Sequence, residues 1–134
     1  MSTTVTIPMR LRCDAHGDHD VPVVWWYRSS DPYTIRLRFE ATPPDEPVVW
    51  EFARDLLRDG LHVLAGVPGL GDILIWPGRG RVCMLLDSPD GSIRLSASRR
   101  DITALVAVLD RVVPFGAEQI DVDGAIAVLL GTLP

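Results

Sequence analysis

Cys13, Asp14, His16, Asp18, His19 and Asp20 concentrate six potential metal ligands within eight residues. A structural zinc needs four such donors converging as a tetrahedron, and a calcium loop needs a cage of oxygens around a sharp turn. Histidines three residues apart converge when a helix or a particular turn carries them. This segment joins two strand-like stretches and contains Gly17, so it reads as a solvated turn and no metal site is expected.

Other chemistries are tested in the same way. Gly66-Val-Pro-Gly69-Leu-Gly71 lacks the Gly-Lys-Ser/Thr of a phosphate loop and leads into a strand where such a loop opens a helix. Gly-x-Ser-x-Gly, the nucleophile elbow, does not occur, and the serines at 29, 30, 88, 92, 96 and 98 fall in turns, strand ends or caps. All thirteen basic residues are Arg, which removes a Schiff-base lysine and a phosphate-loop lysine together. Asp121 and Asp123 read as a helix cap. No catalytic residue and no cofactor are expected.

Trp25, Trp26, Tyr27, Trp50 and Trp76, on strands that also carry Arg36, Arg38, Arg79 and Arg81, could stack single-stranded bases. The formal charge of −5 opposes that reading, because a phosphate polyanion meets net repulsion. Core and subunit contact is the favoured reading of these aromatics.

These side chains must be positioned by ordinary elements of a globular fold. The chain has 134 residues, 47% hydrophobic and 23% charged, which fits one domain over 1–134, ordered nearly throughout. The N-terminus shows neither a basic nor an apolar signal region, and no apolar run reaches the length of a membrane helix, so a cytoplasmic protein is expected. Cys13 and Cys83 do not make a disulfide framework.

Val5, Ile7, Met9 and Leu11 alternate with polar residues and Pro8, which predicts an edge strand. Val21 to Tyr27 is apolar on both faces and needs two covers. The cover could be a helix, a second sheet or another subunit, and for the last case Val23, Trp25 and Tyr27 are the expected homo-oligomer interface. Tyr33 to Phe39 and Val48 to Phe52 complete a four-strand antiparallel meander. A short helix over Ala53 to Asp59, stopped by Gly60, is followed by strands at Asp72 to Trp76, Val82 to Leu86 and Ser92 to Ala97. Ser98-Arg-Arg-Asp101 reads as a capping box for a helix over Arg99 to Val113, with Ala104 and Val108 widening its apolar stripe, and a second helix is expected over Ala125 to Leu130. The fold class is α+β: two antiparallel sheets, a short central helix and two C-terminal helices.

Several segments in order carry a resemblance: Tyr27-Arg-Ser-Ser-Asp31-Pro32-Tyr33, Val49-Trp50-Glu-Phe52-Ala53-Arg54-Asp55-Leu56-Leu57, Gly60-Leu61-His62, Gly71-Asp72-Ile-Leu-Ile-Trp76-Pro77, Ser88-Pro89-Asp-Gly91 and Val113-Pro114-Phe-Gly116-Ala-Glu118. The chain resembles the SsgA-like proteins of sporulating actinomycetes, and the Trp-x-Phe-Ala-Arg-Asp-Leu-Leu run is the most specific match. The resemblance implies a fold similar to the Whirly nucleic-acid-binding proteins, assembled as a trimer. It also implies a non-enzymatic role at the septum in sporulation-specific cell division, where one member of the family recruits the tubulin-like protein FtsZ.

The leading expectation is thus a homo-oligomeric scaffold that binds FtsZ or another septal protein, with Arg54, Asp55, Arg58 and Asp59 on the short helix as the expected partner-binding surface. A single-stranded nucleic-acid-binding module is the alternative.

Overall fold

A computed structural model describes residues 1–12, 17–39, 48–66, 73–88, 91–114 and 116–117. The meander of alternating segments forms β1 (Ser2–Leu11), β2 (His19–Arg28), β3 (Asp31–Phe39) and β4 (Val48–Ala53). After α1 (Arg54–Gly60) come β5 (Ile73–Pro77), β6 (Arg81–Ser88) and β7 (Gly91–Ser98), and α2 (Arg99–Val112) follows. The α+β class and the antiparallel meander are as expected, whereas the two sheets are one. The strand order is β4-β3-β2-β1-β7-β6-β5, because β7 returns to pair with β1 at Arg10↔Ser96 and Leu11↔Leu95. That seam joins residues some eighty positions apart, and local pattern carries no trace of it. The expected helix over Ala125 to Leu130 lies outside the described residues.

The seam also moves β1 from the expected edge to the interior of the sheet. Pro8 is tolerated there because its cross-strand neighbour on β2 is Pro22. Neither residue can donate a hydrogen bond, so the pair must sit where both nitrogens point away from their shared ladder. On the other side, β7 pairs with β1 only at Arg10 and Leu11 and leaves Pro8 clear.

Alternation divides every strand into an inner and an outer row. Ile7, Met9, Val23, Trp25, Ile35 and Leu37 point inward and are buried, and Met84, Leu95 and Ala97 continue that layer across the seam. Ile102, Leu105 and Leu109 of α2 and Leu57 of α1 close over it. Trp25 meets Phe52 edge-on, with centroids 6.0 Å apart and planes at 82°, a geometry that adds about 0.5–1.5 kcal/mol to the burial of the two rings. Ser98 caps α2 as the sequence predicts, its hydroxyl accepting from the Asp101 N–H at 3.1 Å. The apolar stripe of α2 is narrower than expected: Ala104 is exposed and Val108 half-buried.

Gly60 does not stop α1. It is the last helical residue, and Leu61 takes the C-cap in an ordinary right-handed conformation. Space, not backbone conformation, selects glycine there: an added Cβ would lie 2.6 Å from Ile75 Cβ and 3.1 Å from the Ile75 carbonyl oxygen. Helix propensity alone favours alanine by about 1 kcal/mol, and the clash reverses the sign. Gly60→Ala is expected to lower stability by about 1–3 kcal/mol in urea unfolding, and a stabilised variant would contradict the packing argument.

Candidate functional site

Two arrangements of arginine define the molecule, one inside and one outside. Inside, Arg54 is the first residue of α1 and is 5% exposed. Its guanidinium donates from Nη1 to Tyr27 Oη and to the Val113 carbonyl, both at 2.9 Å, and from Nη2 to Asp110 Oδ1 at 2.7 Å. It also stands 5.2 Å from the centre of the Tyr27 ring, and Tyr27 Oη donates to the Pro32 carbonyl at 2.8 Å. Val113 is the C-cap of α2, so the cation meets the negative end of that helix.

Arg99, the first residue of α2, does the converse. Its Nη2 donates at 2.9 Å to the carbonyl of Leu61, the C-cap of α1. Each helix therefore begins with an arginine that satisfies the carboxyl end of the other.

The outer face of the sheet carries no helix among the described residues. Arg10, Arg28, Arg36, Arg38, Arg81 and Arg94 project onto it by alternation, and Arg12, whose N–H bonds the Arg94 carbonyl at 3.0 Å, continues the row. Trp26, 40% exposed, lies between two of them, with the Arg28 and Arg36 guanidinium carbons 5.3 and 5.7 Å from its ring centre. Arg36 also bonds Glu51 Oε1 at 2.8 Å and Asp31 Oδ2 at 3.1 Å. Burial pulls the pKa of Arg36 down, but these two carboxylates outweigh it and raise the pKa overall. One register row away, Val24, Arg38 and Val49 run side by side across three strands, with Val49 54% exposed.

The expected site residues are redistributed by this geometry. Val23, Trp25 and Tyr27 are buried in the chain's own core at 1% exposure or less, which removes them as a contact surface. The strand needed no second subunit over these three, because Trp26 and Val24 take the opposite face. Arg54 is likewise withdrawn from the expected partner surface, since it is buried and its guanidinium is held by Tyr27, Val113 and Asp110. Asp55, Arg58 and Asp59 stay exposed and pair with one another, at 3.8 Å for Arg58–Asp55 and 3.2 Å for Arg58–Asp59.

Of the aromatics expected as stacking platforms, Trp25 and Tyr27 are internal, Trp50 and Trp76 are half-buried, and both flanks of Trp26 carry guanidinium groups. Cys13, Asp14 and His16 lie outside the described residues, and among the described residues no three His, Cys, Asp or Glu side chains gather as metal ligands. Burial pushes the Cys83 thiol up in pKa, against the pull of Arg81 and Arg94.

A sequence profile described as Streptomyces sporulation and cell division protein, SsgA, matches residues 21–118. The chain belongs to the SsgA-like family. It is 38% identical to the sporulation-specific cell division protein SsgB of Streptomyces coelicolor over 125 residues, covering 89% of this chain and 88% of the relative. It is also 38% identical to SsgB of Kineococcus radiotolerans, over 94% of this chain and 78% of the relative.

Among solved structures, the SsgA-like sporulation-specific cell division protein of Thermobifida fusca superposes with a TM-score of 0.81 at 32% identity, covering 96% of both chains. A second, reported with SsgB mutations that correlate to longitudinal cell division during sporulation of Streptomyces coelicolor, gives 0.78 at 33% identity, over 88% of this chain and 93% of that one.

In this SsgA-like chain, three segments that carry the family likeness meet at one side chain: Tyr27 opens the first, Arg54 lies in the second and Val113 opens the last. That convergence makes Arg54 a structural residue with a measurable weight. Arg54→Met leaves the Val113 carbonyl unpaired and is expected to cost about 2–4 kcal/mol in urea unfolding. Arg54→Lys keeps the charge but loses the planar fork, at about 1–3 kcal/mol. Asp110→Asn, at the half-exposed end of the network, should cost less than either. A lysine variant as stable as the parent would show that charge alone suffices.

Proposed function

We propose that the protein is a non-enzymatic factor in sporulation-specific cell division that acts at the septum, binding and helping to position the division machinery through FtsZ or a septal recruiter of FtsZ. The observation that carries the reading is the outer sheet face, where arginines and the exposed Trp26 and Val49 have no covering helix among the described residues. Membership of a sporulation and cell division family supplies the process. A sheet face of this kind, with an exposed indole and valines set among arginines, has the composition of a protein contact. The protein works from the cytoplasm as a homo-oligomer, a trimer, with Trp26, Val24 and Val49 in place of Val23, Trp25 and Tyr27 as the self-contact. No turnover, cofactor or nucleic acid takes part.

A fluorescent fusion is expected at sporulation septa in an actinomycete host, with FtsZ or a septal protein recovered by cross-linking. Diffuse fluorescence and no division protein in the cross-linked fraction would overturn the reading. In light scattering the purified protein should have the mass of three chains and Trp26→Glu that of one. A monomeric parent would remove the self-contact.

A further inference from the structure

Arg12 and Arg94 are cross-strand neighbours at the seam between β1 and β7, joined through the bond from the Arg12 N–H to the Arg94 carbonyl. Arg10 lies two residues before Arg12 on the same face, opposite Ser96. Like charges directly opposite in a sheet are destabilising, and the chain places them there despite its net charge of −5. The side chains of Arg10 and Arg94 make no hydrogen bond or ion pair with any described residue.

The surface is also concave at this point. One hollow of about 280 Å³ is lined by Arg12, Leu85, Ser92 and Arg94. A second, of about 200 Å³, takes in Arg10, Arg12, Cys83, Arg94 and Ser96, with Asp18 at its edge. The two share Arg12 and Arg94, so they form one groove along the seam. Ser96, on the lining of the second hollow, is held by Arg81, which donates to Ser96 Oγ at 2.8 Å and to the Ser96 carbonyl at 3.0 Å.

We propose that this seam groove is the docking site for an acidic peptide segment of a partner protein, with Arg10, Arg12 and Arg94 receiving its carboxylates and Leu85 an apolar side chain between them. The inference rests on the reading of the protein as a partner-binding factor and adds where, and to what chemistry, the partner binds. Guanidinium forks match carboxylates bidentately, and three of them on one strip fit acidic residues spaced along an extended chain. A nucleic acid fits less well. No aromatic ring lines the groove, Asp18 sits at its edge and Asp20 stands opposite Arg10 in the β1–β2 register, so a uniform run of phosphates meets carboxylates where a peptide can present other groups.

Fluorescence anisotropy with labelled Glu-Leu-Glu-Glu-Leu-Glu peptide tests the proposal on the full chain, against the same peptide with Lys for Glu, a labelled single-stranded oligonucleotide, and inorganic phosphate as competitor. The acidic peptide alone should bind, weakening as salt is raised from about 50 to about 500 mM. Arg94→Glu and Arg10→Glu should each weaken it at least about tenfold, and Arg94→Gln by less, with the circular dichroism spectrum unchanged. No binding of the acidic peptide up to about 1 mM would overturn the groove assignment while leaving septal localisation as a separate result. Tighter binding of the oligonucleotide, lost in the same variants, would overturn it in favour of nucleic acid, and full displacement of the peptide by phosphate would reduce the site to a bare anion hole.

Discussion

The fold depends on a reciprocal exchange of arginines between its two helices. Neither helix can satisfy its own last carbonyls, and α1, at seven residues, is too short to be stable by itself. Arg54 reaches the end of α2 and Arg99 reaches the end of α1, so each helix completes the other only when both lie against the sheet in their native places. Burying the Arg54 charge is costly, and it is tolerated because Asp110, Tyr27 and Val113 together accept its donors in fixed directions. The Arg54 side chain links β2, α1 and the end of α2, and Tyr27 extends the link to the start of β3.

That internal use of arginine separates the two faces of the sheet. With helices closing the inner row, the sheet presents to solvent only what alternation puts on the outer row. Seven of the thirteen arginines lie there, on a chain that is acidic overall. The net charge describes the molecule from a distance, whereas a partner meets the local field of one face.

Much of this was legible residue by residue where the cause is local. Tyr33 to Phe39 alternates cleanly because one of its faces is buried, and Ser98 announces the start of α2 because the cap is made by a neighbour three residues on. The seam between β1 and β7 was not legible, since its two pairs join distant segments and leave no periodicity. Arg54 was misread for a related reason. A charged residue on a short polar helix has the appearance of a surface group, and only the converging acceptors from β2 and α2, both remote in sequence, reveal that it is internal. The run from Val23 to Tyr27 is legible as a strand apolar on both faces, but not which face turns inward: Val23, Trp25 and Tyr27 fill the chain's own core, and Trp26 stands on the outer side between two arginines.

Part of the family likeness lies inside the molecule. Tyr27, Arg54 and Val113 belong to segments that mark the family, and their side chains meet inside, where they secure the helices to the sheet. The seam strip of Arg10, Arg12 and Arg94 draws on β1, whose residues precede the matched region that begins at residue 21. Substitutions at Arg10 or Arg12 therefore change the charge of the outer face without disturbing the arginines that hold the helices in place.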